Sequence, residues 1–223
     1  MSEPAEGVLV AGRGRVFLTP DVLVARFGAE VTAAAAQQAL SRCSTVIAAM
    51  GEVLRRGEVA ERDRQSAGSS LHQAHDHQGR PRGWTASVEL TARLRDLERA
   101  GDLISLVIDA GGNDARLRAA TLDLDTSSAR YEAARAEARA LAFSDAKAAA
   151  SQYAELSDRR LGVVVMVREA GDAPLPYPMA APMFAAGGYA GGGSGGVPPG
   201  GPPVEQGELQ VATTVQVRWE LLS

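Results

Sequence analysis

The sequence predicts an α+β protein, with a largely antiparallel sheet or sheets packed against helices. Two stretches alternate apolar and polar residues with a period of two, at residues 84–95 and 209–219, as a strand with one dry and one wet face does. Other stretches repeat apolar residues at helical spacing, and strand signals fall in pairs between them. Paired strands among helices give the order ββ-α-ββ-α-β-α-ββ, which points away from a doubly wound parallel sheet. A long Gly/Pro/Ala-rich insertion, residues 170–207, precedes the last strand.

The first strands are expected at 8–18 and 22–31, within VLVAGRGRVFLTPDVLVARFGAEV. Gly12-Arg13-Gly14 resembles the start of a phosphate-binding glycine loop. That motif needs a third glycine and a following helix, and Leu18-Thr19-Pro20-Asp21 supplies neither. The glycines therefore sit inside a strand, where glycine marks a bulge or the close approach of a neighbour. Thr32 is placed to cap a helix running to Arg56, with Gly57 as its stop. Ala36, Leu40, Cys43, Ile47, Met50 and Leu54 form its apolar stripe, which makes Cys43 a small buried hydrophobe.

A polar, weak strand is expected at 65–73 and a hairpin turn around Gln78-Gly79-Arg80-Pro81. It leads into the alternating strand that begins with Trp84. Asp96 caps a short helix carrying Leu97, Ile104, Val107 and Ile108 and closed by Gly111-Gly112. A strand at 116–124 follows, and Thr126 or Ser127 begins a long alanine-rich helix to about Leu156. Its expected face is Tyr131, Ala134, Ala138, Leu141, Ala149 and Tyr153, with alanines admitting close contact to a sheet. Residues 161–167, LGVVVMV, form an unbroken apolar run, as in a strand buried on both faces. The last strand, 208–221, places Leu209, Val211, Thr213, Val215, Val217 and Trp219 on one side, so Trp219 and Trp84 are both expected in the core.

Composition narrows the function classes. The chain has 223 residues, and its net charge of −4 argues against a general nucleic-acid binder. A single cysteine excludes an intrachain disulfide. Met-Ser-Glu-Pro-Ala-Glu has neither a basic nor an apolar leader segment, which sets the expectation of a cytoplasmic protein without a membrane span. His72, His75 and His77 with Asp76 are metal-ligand types. In an extended segment His75 and His77 share one face while His72 and Asp76 share the other. At most two ligands converge, so a polar hairpin tip is expected, although copies in an oligomer could bring the imidazoles together. Gly192-Gly193-Ser194-Gly195-Gly196 satisfies G-x-S-x-G, but no histidine follows it, and a nucleophile elbow needs one. Asp123 and Asp125 fit a capping role better than acid–base chemistry. No catalytic, cofactor-binding or metal site emerges, and the expectation is a non-enzyme without a cofactor.

With the elements placed, the chain resembles the SIMPL-domain family, known from bacterial envelope proteins and a mammalian kinase-binding protein. The resemblance rests on Val10-x-Gly12-x-Gly14-x-Val16 with Pro20-Asp21, Gly83-Trp84-Thr85-Ala86, Asp96-Leu97, Ala146-Lys147-Ala148, Leu161-Gly162 through Glu169, and Pro203-Val204-Glu205-Gln206-Gly207-Glu208. Trp84 stands where the family shows tyrosine, and the histidines stand where relatives tend to show Pro and Tyr. The resemblance implies a single domain over 1–223, with a core of about 7–169 and 208–222. It also implies an α+β fold, no established catalytic residues, a tendency to form homo-oligomers of ring or channel-like form, and for some members a link to stress. The expected function is a self-assembling, non-catalytic scaffold; the alternative is a protein-binding adaptor in a signalling pathway.

Overall fold

A computed structural model describes residues 7–169 and 207–223. The strands are β1 (Gly7–Leu18), β2 (Val22–Ala33), β3 (Arg64–His75), β4 (Pro81–Leu94), β5 (Ala115–Asp123), β6 (Arg160–Glu169) and β7 (Leu209–Leu222), and the helices α1 (Ala36–Arg56), α2 (Leu97–Gly111) and α3 (Ala129–Leu156). This is the α+β order read from the sequence, with two antiparallel sheets. The described residues divide into two compact units, one of β1, α3, β6 and β7 and the other running from Thr19 to Asp125.

In the first unit the strand order is β1-β7-β6. β1 pairs along its whole length with β7, Gly7 opposite Glu220 and Leu18 opposite Leu209. Strand alternation then puts Val8, Val10, Gly12, Gly14 and Val16 on the same face as Val211, Thr213, Val215, Val217 and Trp219. That face meets α3 through Ala142, Ala146 and Ala150, with Phe143 tilted against the Trp219 ring at a centroid distance of 5.9 Å. The opening glycines are explained here. A Cβ on Gly12 would run into the Ala142 carbonyl oxygen and the Ala146 methyl, and one on Gly14 into the Ala138 carbonyl. Without side chains at these two positions, helix backbone lies directly on strand backbone.

The helix seam differs from the expected one. The buried residues of α3 are Ala134, Ala138, Ala142, Ala146, Ala150 and Ala154, a strict four-residue ladder, while Leu141 and Tyr153 are exposed. A row at i, i+4 slants across the helix axis, and a twisted sheet can follow that slant where a straight stripe would lift off. The helix is capped by Ser128, whose Oγ accepts from the Tyr131 N–H, rather than by Thr126 or Ser127.

In the second unit the order is β3-β4-β2-β5. β1 and β2, adjacent in sequence, therefore belong to different sheets. Leu23, Ala25, Phe27, Leu90, Ala92 and Leu94 face α1 and α2, contributing to a core completed by Met50, Leu54, Ile104 and Val107. Cys43 is fully buried beside Ala29, Val31 and Ala86, as its place in the α1 stripe predicts; Leu40, from the same stripe, is exposed. Helix α1 starts after Ala35 with no side-chain cap, because Thr32 is still in β2 and shares a hydroxyl hydrogen bond with Thr85. Asp96 does cap α2, accepting from the Arg99 N–H. Trp84 is only half-buried, since it lies opposite Ala33, the last residue of β2, where the sheet runs out.

Candidate functional site

The expected candidate residues separate rather than converge. His72 and His75 end β3 on exposed positions and His77 lies beyond it in the turn. Asp76 is committed to that turn. Its Oδ1 accepts from the Gln78 and Arg80 N–H groups and its Oδ2 from the Arg80 guanidinium, and these contacts, the Arg80 N–H foremost, lower its pKa from the ordinary aspartate value. Among the described residues no group of three or more His, Cys, Asp or Glu side chains is placed to hold a metal ion. The Cys43 thiol is pushed up by burial, and its Sγ–H donates to the Ala29 carbonyl, the opposite of an activated thiolate. The G-x-S-x-G tract at 192–196 lies outside the described residues, as does nearly all of the 170–207 insertion.

Asp123 and Asp125 have different roles. Asp123 accepts from the Leu124 N–H next to it. Asp125 receives the Arg95 guanidinium, which also forms a two-pronged pair with the buried Asp63 at 2.8 and 3.0 Å. The two carboxylates, Asp63 first, raise the Arg95 pKa, so its guanidinium stays charged. It ties the turn before β3 to the ends of β4 and β5, positions without a shared sequence motif.

The surface that stands out is one edge of the three-stranded sheet. Strand edges present unpaired N–H and C=O groups, and proteins cover, charge or bend them. The β1 edge is engaged at its middle: the Asp145 carboxylate on α3 accepts from the Arg13 N–H at 2.9 Å, in a shallow groove rimmed by Arg15 and Leu141. The β3 edge of the other sheet is polar, with Gln65, Ser66, Ser69 and Ser70 exposed. Among the described residues, the middle of the β6 edge is neither covered nor charged. Val163, Val164, Val165, Met166 and Val167 are 65%, 42%, 50%, 40% and 54% exposed.

This overturns the expectation that LGVVVMV is buried on both faces. The run is a strand, but the outermost one, and α3 lies chiefly over β1 and β7, where the glycines admit it. Only the ends of β6 are engaged: Leu161 packs toward Trp219, and Glu169 accepts from Arg139 at 3.0 Å with Arg135 nearby. Its pairing with β7 slips between Leu161 and Val164 and again between Val164 and Met166. Such bulges increase local twist and restrict which partner strand can fit.

The described residues thus form an α+β protein of two antiparallel sheets, one backed by α3 and open along an apolar edge, the other packed on α1 and α2. The family model of SIMPL, described as a protein of unknown function (DUF541), matches residues 8–219, and the chain belongs to that family. The match spans both compact units. The chain is also similar to proteins named "26 kDa periplasmic immunogenic protein" from Brucella melitensis and Brucella abortus, each 24% identical over 191 residues, covering 82% of this chain and 74% of the relative. That name places those relatives in the periplasm. No helix among the described residues is long and apolar enough to cross a membrane, which says nothing of strands.

Proposed function

We propose that this SIMPL-family chain is a non-catalytic protein that self-assembles into a homo-oligomer and serves as a scaffold or ring-like assembly. One observation carries the proposal: a run of five apolar residues, Val163 to Val167, exposed along an open strand edge. Leaving such a strand in water forfeits the hydrophobic gain of each side chain and leaves its outer backbone groups to solvent alone. A second copy removes both costs, and closure of a ring removes the free edge altogether.

The adaptor reading uses the same edge. An extended segment of another protein could add to β6 as an extra strand, with main-chain hydrogen bonds for affinity and the valines for specificity. The two readings part in purified protein. Light scattering should give a mass that is a multiple of 23.2 kDa at micromolar concentration. A monomer at that concentration removes the scaffold reading and leaves the adaptor.

A further inference from the structure

We propose that the open face of the three-stranded sheet, on the side away from α3, docks on an anionic phospholipid surface. Strand alternation puts Arg13 and Arg15 of β1 on this face, since Gly12 and Gly14 between them point to the helix. Arg218 of β7 lies opposite Leu9 and its guanidinium reaches across Gly7, where a Cβ would be 3.2 Å from Nε. Arg168 of β6 pairs with Gln216 of the same face, and Arg160, which donates to the Ser223 carbonyl, pairs with Leu222. Two acidic side chains lie near them: Glu220, which the strand pairing sets opposite Gly7, and Asp145 of α3, beside Arg13 at the β1 edge. A chain of net charge −4 thus gathers arginines from three strands on one sheet face.

Charge complementarity selects an anionic partner, and the apolar residues among the arginines select its kind. Leu9 and Phe17 are each 57% exposed on this face, and Met166, opposite Arg218, is 40% exposed. Basic side chains with apolar ones between them suit a lipid interface, where headgroup phosphates take the guanidiniums and the acyl boundary takes Leu, Phe and Met. Single-stranded nucleic acid calls for successive aromatic platforms, and Phe17 is the only aromatic that β1, β6 or β7 turns to this side. A single chain carries the whole face, so the proposal stands apart from self-assembly.

The test is flotation of the full chain with vesicles of phosphatidylcholine alone and with about one-third phosphatidylglycerol, with mass by light scattering measured alongside. The expected result is binding to the anionic vesicles only, reduced by raised salt. Arg15→Gln and Arg168→Gln should each weaken it about fivefold, the factor for losing one basic side chain near an anionic surface. Leu9→Ser with Phe17→Ser should weaken it further with the oligomer mass unchanged, and Lys147→Gln on the exposed side of α3 should change nothing. No flotation with anionic vesicles, equal flotation with neutral ones, or tighter binding to a single-stranded oligonucleotide than to anionic vesicles would overturn the proposal.

Discussion

At the scale of single residues, what a side chain contributes follows from what closes around it. Both tryptophans occupy the apolar parity of their strands, yet Trp219 is 2% exposed under α3 while Trp84 meets the end of its sheet. Trp219→Ala should cost about 3–5 kcal/mol in urea unfolding, the range for a large buried aromatic. Trp84→Ala should cost only about 1–2 kcal/mol, because its side chain is only partly buried; equal losses would contradict this burial difference. Asp76 gives a pH-dependent counterpart. Its folded pKa lies below the unfolded value, so its hold on the β3–β4 turn is present above the ordinary aspartate range and is lost as pH falls through the folded pKa. Amide exchange at Gln78 and Arg80 should therefore quicken below about pH 4 relative to the general pH trend. Asp76→Asn, which cannot titrate, should show no such step.

At the scale of elements, the contact of α3 with β1 depends on the absence of atoms. The alanine ladder and the glycine pair are complementary, so enlarging either side separates two backbones. Gly14→Ala should destabilise the protein by about 3 kcal/mol or more, as overpacking of a rigid contact does. Ala149→Ser, on the same helix but off the ladder, should stay within about 0.5 kcal/mol. Loss of the contrast in denaturation midpoints would mean that the helix can shift to make room. The elements themselves were largely legible: the strand alternation of β4 and β7, the Asp96 cap and the Gly111-Gly112 stop all act locally. The α3 seam was not, because alanine sits on several sides of that helix and hydropathy cannot tell which ones touch the sheet.

For the whole molecule, the open β6 edge is the feature that asks for a partner. Val165→Lys places a charge at the middle of the strand, the device by which natural edge strands avoid pairing. If assembly runs through β6, this variant should fall to the 23.2 kDa monomer while keeping the circular dichroism of the parent. An oligomer that survives the change would place the contact elsewhere. Bulges on either side of Val164 twist that edge locally and so restrict which strand can pair with it.

The sequence by itself determined the order of strands and helices, the burial of Trp219 and Cys43, and membership of the SIMPL family, because periodicity, caps and turns are local and a family motif is linear. The tertiary structure alone decided which strand lies outermost. LGVVVMV has the composition of an interior strand, but a strand's burial depends on what is laid beside and above it, and the glycines of β1 admit α3 over β1 and β7 rather than over β6. The same holds for the basic face. Arg13, Arg168 and Arg218 are far apart along the chain, and only the pairing of β1 and β6 with β7 puts them on one surface.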